Sequence, residues 1–170
     1  MGASTAAIAH DAGISEPGLL HHFGSKKGLL MALLERRYSL DEPKFHADQE
    51  LEGMTLLSLL VALIRENMRQ RESVKLAMVM LGESTSTHHP SHDFFRRRYV
   101  EAREVLVQHL ARAQKNGSVR AGVDTEALSA VLLAVMDGLQ LQWLLDKRVD
   151  MAHCFEVLGG LLERALTSRR

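Results

Sequence analysis

A chain of 170 residues is long enough to bury a sizeable core, as one domain or as a small module joined to a larger body. Hydrophobic residues are 46% and charged residues 25%, with no apolar run that reads as a bilayer span and no charged-then-apolar leader at Met1, so the composition predicts a soluble, cytoplasmic protein. The formal net charge is zero, and residues 1–38 set four lysine or arginine residues against three acidic ones, a balance of +1; this excludes a protein that coats nucleic acid through bulk charge and leaves only a local, shaped contact.

The elements predicted in chain order are all helical. Ser4 suits the cap of a short helix from Thr5 to about Ala12, because its hydroxyl can accept from an unpaired first-turn amide. Gly13 stops that helix, and Ser15 restarts the chain with Pro17 in a first turn where a missing N–H is harmless. The second helix runs to about Phe23. Ile8, Ile14, Leu19 and Phe23 can share one small core, with Ala9 and Ala12 letting the helices approach. This is the spacing of a helix-turn-helix, whose outward second helix enters a major groove by its N-terminal residues while helix ends offer amides to phosphates. Ser4, Thr5, Ser15, Glu16, Pro17, Gly18, Leu20, His21 and His22 are therefore candidate DNA contacts. Ser25 caps a third helix that opens with Lys26 and Lys27; cations there oppose the helix dipole, and a nearby phosphate would resolve the conflict. The plainer alternative is a solvated Lys26 and histidines that fill an exposed face.

Beyond Tyr38 the chain loosens around Pro43. Helices are then expected from Thr55 to about Arg71, from Ser73 to Leu81, from Ser91 to Lys115, from Thr125 to Leu145 behind an Asp124 cap, and from Ala152 to Leu166. Residues 82–91 read as a loop, and Asn116-Gly117-Ser118 as a helix-ending turn. The helix Thr125–Leu145 is apolar nearly all round, so it needs partners on two sides. It and the last helix are expected to form a homodimer interface through Leu132, Val135, Leu139, Phe155, Leu158 and Leu162, the alternative being a core helix of a monomer. Cys154, the single cysteine, reads as a buried structural thiol.

His88, His89 and His92, with Glu83 or Asp93 beside them, offer a rival reading as a zinc site, although their spacing matches no metal motif. No phosphate loop, nucleophile elbow or HExxH helix occurs, so neither catalysis nor a cofactor is expected.

The stretch Ala7 to Leu30, AIAHDAGISEPGLLHHFGSKKGLL, closely resembles the DNA-binding signature of the tetracycline-repressor (TetR) family. The resemblance implies an all-α regulator with a DNA-binding head over residues 1–38 and an effector-binding, dimerising body over residues 39–170. It further implies a recognition helix near Glu16–Phe23, a phosphate contact at Lys26, a palindromic double-stranded operator read by a homodimer, and repression. Two departures stand out. Leu20 occupies a position where the family usually has a tyrosine, and family members carry a further helix before the one that opens at Thr5. A late start codon, a trimmed chain or a natural truncation would account for the second, and a less stable head would follow. The resemblance also implies a small-molecule pocket among the middle helices, whose shape change alters the spacing of the two heads. Met68, Met78, Met80, Tyr99, Met136, Gln140 and Trp143 are nominated as its walls, since they mix adaptable apolar chains with amphipathic ones. Other readings are a head-defective subunit that pairs with intact relatives, or a helical protein that binds a small molecule or a metal.

Overall fold

The computed structural model describes residues 3–45 and 56–166. Among them are eight helices and no strand, which bears out the all-α expectation: α1 Thr5–Asp11, α2 Glu16–Phe23, α3 Lys26–Phe45, α4 Leu56–Arg69, α5 Arg71–Glu83, α6 His92–Lys115, α7 Thr125–Leu145 and α8 Met151–Leu166. Thr55, expected to open the fourth helix, lies outside the described residues. The contacts divide the chain into two compact units, Met1–Phe45 and His46–Arg170. The third helix was expected to loosen after Tyr38 but continues to Phe45, so Pro43 falls in its last turn, where its missing N–H removes a single intrahelical bond.

In the first unit each short helix is held by its ends. The α1 end is a Schellman turn: Gly13 takes a φ of 68°, its N–H donates to the His10 carbonyl at 3.0 Å, and the Ile14 N–H reaches the Ala9 carbonyl at 3.0 Å. A side chain at Gly13 would be forced into the left-handed region, which is why the turn takes glycine. The core is smaller than the sequence suggested. Ala9, Leu19 and Leu29 are buried together with Ile8 and Phe23 against them, whereas Ile14 is 50% exposed and Ala12 lies outside. The Schellman turn carries Ile14 past the end of α1, and Leu29 of α3 fills the space instead.

The second unit is organised around α7, which packs against α5, α6 and α8, while α4 packs against α5, α6 and α8. The α6–α7 connection is a hairpin held by one side chain: the Gln114 amide donates to the carbonyls of Arg120, Ala121 and Val123 at 2.9–3.2 Å. Its loop is tied to the end of α8 by an Arg120 N–H bond to the Leu166 carbonyl at 2.9 Å. Arg65 of α4 pairs with Glu156 of α8 at 2.7 Å. Contrary to the sequence expectation, α7 is long and apolar enough to cross a bilayer by length and composition. Its apolarity answers to its three neighbours, and the buried polar residues Ser129 and Gln140 interrupt it. Cys154 is exposed rather than buried, because Met151, Ala152, Phe155 and Gly159 take the inward face of α8.

The tightest approach in the first unit sets a test. A Cβ on Gly28 would stand 2.0 Å from the Phe23 carbonyl oxygen, a backbone atom that cannot step aside. Gly28→Ala is expected to destabilise α1–α3 by about 1–3 kcal/mol, read as faster amide hydrogen exchange over residues 5–38. Gly122→Ala, with nothing within 4 Å, should leave exchange unchanged.

Candidate functional site

The three helix starts of the first unit are built alike. Ser4 Oγ accepts from the Ala7 N–H, Ser15 Oγ from the Gly18 N–H and Ser25 Oγ from the Gly28 N–H, each at 3.1 Å. The Ser4 and Ser15 hydroxyls, nominated as DNA contacts, are thus engaged as caps. Two further nominated residues meet each other: Thr5 Oγ1 donates to Glu16 Oε1 at 2.5 Å, joining the first turns of α1 and α2. Lys26 Nζ donates to the Ala3 carbonyl at 2.6 Å, so its conflict with the α3 dipole is relieved by an internal acceptor. Pro17, Gly18, Leu20, His21 and His22 are exposed, while Leu19 and Phe23 turn inward. The His22 ring meets Phe23 edge-on, with centroids 4.6 Å apart. The result is an outward α2 mounted on a small core, with its polar side chains at the surface.

The second unit contains a polar strip along the inner side of α7. The Tyr99 hydroxyl of α6 donates to Asp137 Oδ2. Burial pushes the Asp137 carboxyl above its ordinary range, and the Tyr99 bond draws it part of the way back. One turn on, Gln140 is 6% exposed, and its amide forms no hydrogen bond among the described residues. Trp143 is buried beneath the Arg71 guanidinium, which sits 5.6 Å from the ring centroid and donates to the Leu144 carbonyl at 2.7 Å. Of the nominated pocket residues, Tyr99, Gln140 and Trp143 belong to this strip; Met80 and Met136 are buried core, and Met68 and Met78 are half-buried. Asp137 and Arg71 were missed. The signal for Asp137 was present, since it is the one charged residue between Glu126 and Asp146 in an otherwise apolar helix.

The histidine loop does not assemble a metal site. His89 Nδ1 and Ser91 Oγ are 2.6 Å apart, and its Nε2 lies 3.4 Å from Glu83; His92 Nδ1 donates to the Ser84 carbonyl at 2.9 Å, and His88 is exposed. The His89 and His92 rings bind the α5–α6 turn together, and no group of three metal-ligating side chains occurs among the described residues. On α7 and α8, Leu132 and Phe155 are buried within the chain itself, and Val135, Leu139, Leu158 and Leu162 are half-buried. The apolar residues left outside are Val131, Leu141 and Leu145 of α7 and Val157 and Leu161 of α8, all more than half exposed.

The raised Asp137 carboxyl gives a signed expectation. A carboxyl held above its unfolded value costs stability when ionised, so that cost disappears as pH falls through its folded value toward the ordinary carboxylate range. Asp137→Asn, which can still accept from Tyr99, should melt at a higher temperature than wild type at neutral pH, and the gap should close on acidification. His109, held below its ordinary value by burial and by Arg112, acts in the opposite sense in both proteins and cancels in the difference.

Two family models cover most of the chain. Residues 2–33 match the model for bacterial regulatory proteins of the tetR family, and residues 54–167 match that for the C-terminal part of BetI-type transcriptional repressors. Among solved structures, a transcriptional regulator from Saccharomonospora viridis in complex with choline is 26% identical, with 98% of this chain and 88% of that one aligned and a TM-score of 0.78. GusR of Salmonella enterica is 25% identical over 95% and 85% of the two chains, with a TM-score of 0.72. A TetR-family regulator from Rhodococcus sp. shares the fold at 18% identity, over 98% and 89%, with a TM-score of 0.73. A search of curated proteins gave no match. With a helix-turn-helix head and a helical body that each match, the chain belongs to the TetR family of transcriptional regulators.

Proposed function

We propose that this chain is a ligand-responsive repressor that works in the cytoplasm, binds a palindromic operator as a homodimer and leaves it when a small organic cation binds the body. The observation that carries the DNA reading is the outward α2, seated on the Ala9–Leu19–Leu29 core with Leu20, His21 and His22 at the surface. Lys26 supplies the phosphate contact by exchanging the Ala3 carbonyl for a phosphate oxygen. The dimer is supported by the exposed apolar residues of α7 and α8; Val131, Leu141, Leu145, Val157 and Leu161 carry it, with Val135, Leu139, Leu158 and Leu162 at its margins. The interior Leu132 and Phe155 hold these helices in place from behind.

The cationic effector follows from the cost of Asp137. A partly buried carboxylate with one hydroxyl partner is stabilised by a cation, and the Tyr99 ring bonded to it is of the aromatic type that surrounds ammonium groups. The choline complex of the Saccharomonospora viridis protein supports the same chemistry. Release requires only that the effector prefer the form that does not bind operator.

Salt-dependent binding to the DNA upstream of its own gene tests the reading. Wild type should bind one palindromic site as a dimer; Lys26→Ala should weaken binding and lower the salt slope by about one per protomer. Leu161→Glu should yield a folded monomer that no longer binds. Choline, used as the probe, should raise the melting temperature of wild type and weaken its operator complex, and do neither for Asp137→Asn. Wild type that binds no site above background would overturn the DNA reading, and wild type indifferent to choline would overturn the cationic effector.

A further inference from the structure

The Thr5–Glu16 contact is more than a link between two helices. An acidic residue in the first turn of α2 is favourable for the helix dipole wherever its carboxylate points. The dipole does not account for a carboxylate bonded across to α1. Capping does not account for it either, because Ser15 already satisfies the Gly18 N–H. Glu16 is half-buried, Oε1 accepts from Thr5 at 2.5 Å, and Oε2 takes no hydrogen bond among the described residues. One oxygen is anchored and the other is available, on the second helix of the helix-turn-helix, at the end that enters the groove.

The geometry points to Glu16 as a base-reading residue that selects cytosine in each operator half-site, with Thr5 as its positioning residue; this rests on the DNA-binding reading above. An ionised carboxylate brought among phosphates is repelled, and only a hydrogen-bond donor on a base edge offsets that cost. The major groove presents two such donors, the N4 amino group of cytosine and the N6 amino group of adenine. Adenine N6 lies beside N7, an acceptor that repels the carboxylate, whereas cytosine carries no acceptor of its own next to N4 on that edge. Guanine and thymine offer the carboxylate only acceptors. A carboxylate already held by Thr5 also loses less freedom on binding than a free side chain would, which sharpens the choice.

The test is selection from a randomised duplex library with the full chain, sequenced for wild type, Glu16→Gln, Thr5→Val and Thr5→Ser. Wild type should enrich a palindrome with one symmetric cytosine per half-site, disfavouring other bases there by about fivefold or more. Glu16→Gln should move that position alone to adenine, since an amide can both accept from N6 and donate to N7. Thr5→Val should flatten the preference at that position while the rest of the motif survives, and Thr5→Ser, which keeps the hydroxyl, should restore it. If Glu16→Gln and Thr5→Val enrich the same motif as wild type, with or without tighter binding overall, Glu16 is a repulsive charge or a dipole partner and the inference is overturned while the DNA reading stands. If wild type enriches no sequence, the DNA reading falls and the inference with it.

Discussion

The body of this protein depends on the burial of α7. A helix of 21 residues with apolar side chains on nearly every side cannot be stable with one covered face, so it draws α5, α6 and α8 around itself. Each neighbour contributes a narrower stripe: Val74, Ala77 and Met80 from α5, Phe95, Leu106 and Leu110 from α6, and Met151, Ala152 and Phe155 from α8. α4 has no place against α7 among the principal packings and closes the unit across α5, α6 and α8, with Arg65–Glu156 at its edge. Once three sides of α7 are covered, Val131, Leu141 and Leu145 are what remains outside. The face assigned above to the dimer is therefore a by-product of how the core closes.

The head solves the opposite problem. Its buried apolar residues are few, Ala9, Leu19 and Leu29 in one cluster and Leu34 further along α3, so it has little apolar surface to remove from water, and backbone hydrogen bonding at helix ends adds to its order. Three serine caps satisfy first-turn amides, a Schellman turn satisfies the last carbonyls of α1, and Gly28 lets α3 start against the end of α2. Such ends are local in sequence and leave the exposed side chains of α2 free of packing duty, while Leu19 and Phe23 serve the core. A helix that turns only Leu19 and Phe23 inward can vary its exposed residues at little cost to the fold.

The charges of the chain balance, 21 basic against 21 acidic residues. One carboxylate, Asp137, is half-buried in the body where burial disfavours its charge, and a second, Glu16, opens the second helix of the head, where the helix dipole favours it. Each is held by a hydroxyl from a neighbouring helix, Tyr99 in one case and Thr5 in the other. A hydroxyl fixes the geometry but leaves the negative charge unneutralised, so both sites favour a partner that supplies a donor or a positive charge. The loop histidines show the contrast: His89 and His92 spend their ring nitrogens on the α5–α6 turn.

Helix positions were largely legible in the amino-acid order, since capping residues, glycine stops and 3.6-residue periodicity act over one or two turns. Ser4, Ser15, Ser25 and Asp124 mark helix starts at the residues where the structure places their caps. The match of Ala7–Leu30 to a known signature was legible for the same reason, being contiguous. Which apolar residue faces inward was not. Ile14 and Leu29, or Leu132 and Val131, are alike in chemistry and differ only in which neighbour arrives from elsewhere in the chain. Cys154 lies outside, and Asp137 meets Tyr99, because of how α8 and α6 are rotated against α7, and that rotation is set by the packing of all the helices of the body at once. Sequence determined the helices, the ends that carry capping residues or glycine stops, and the family; the tertiary structure decided the pairs of side chains that carry chemistry, because such pairs form between residues that only long-range packing brings together.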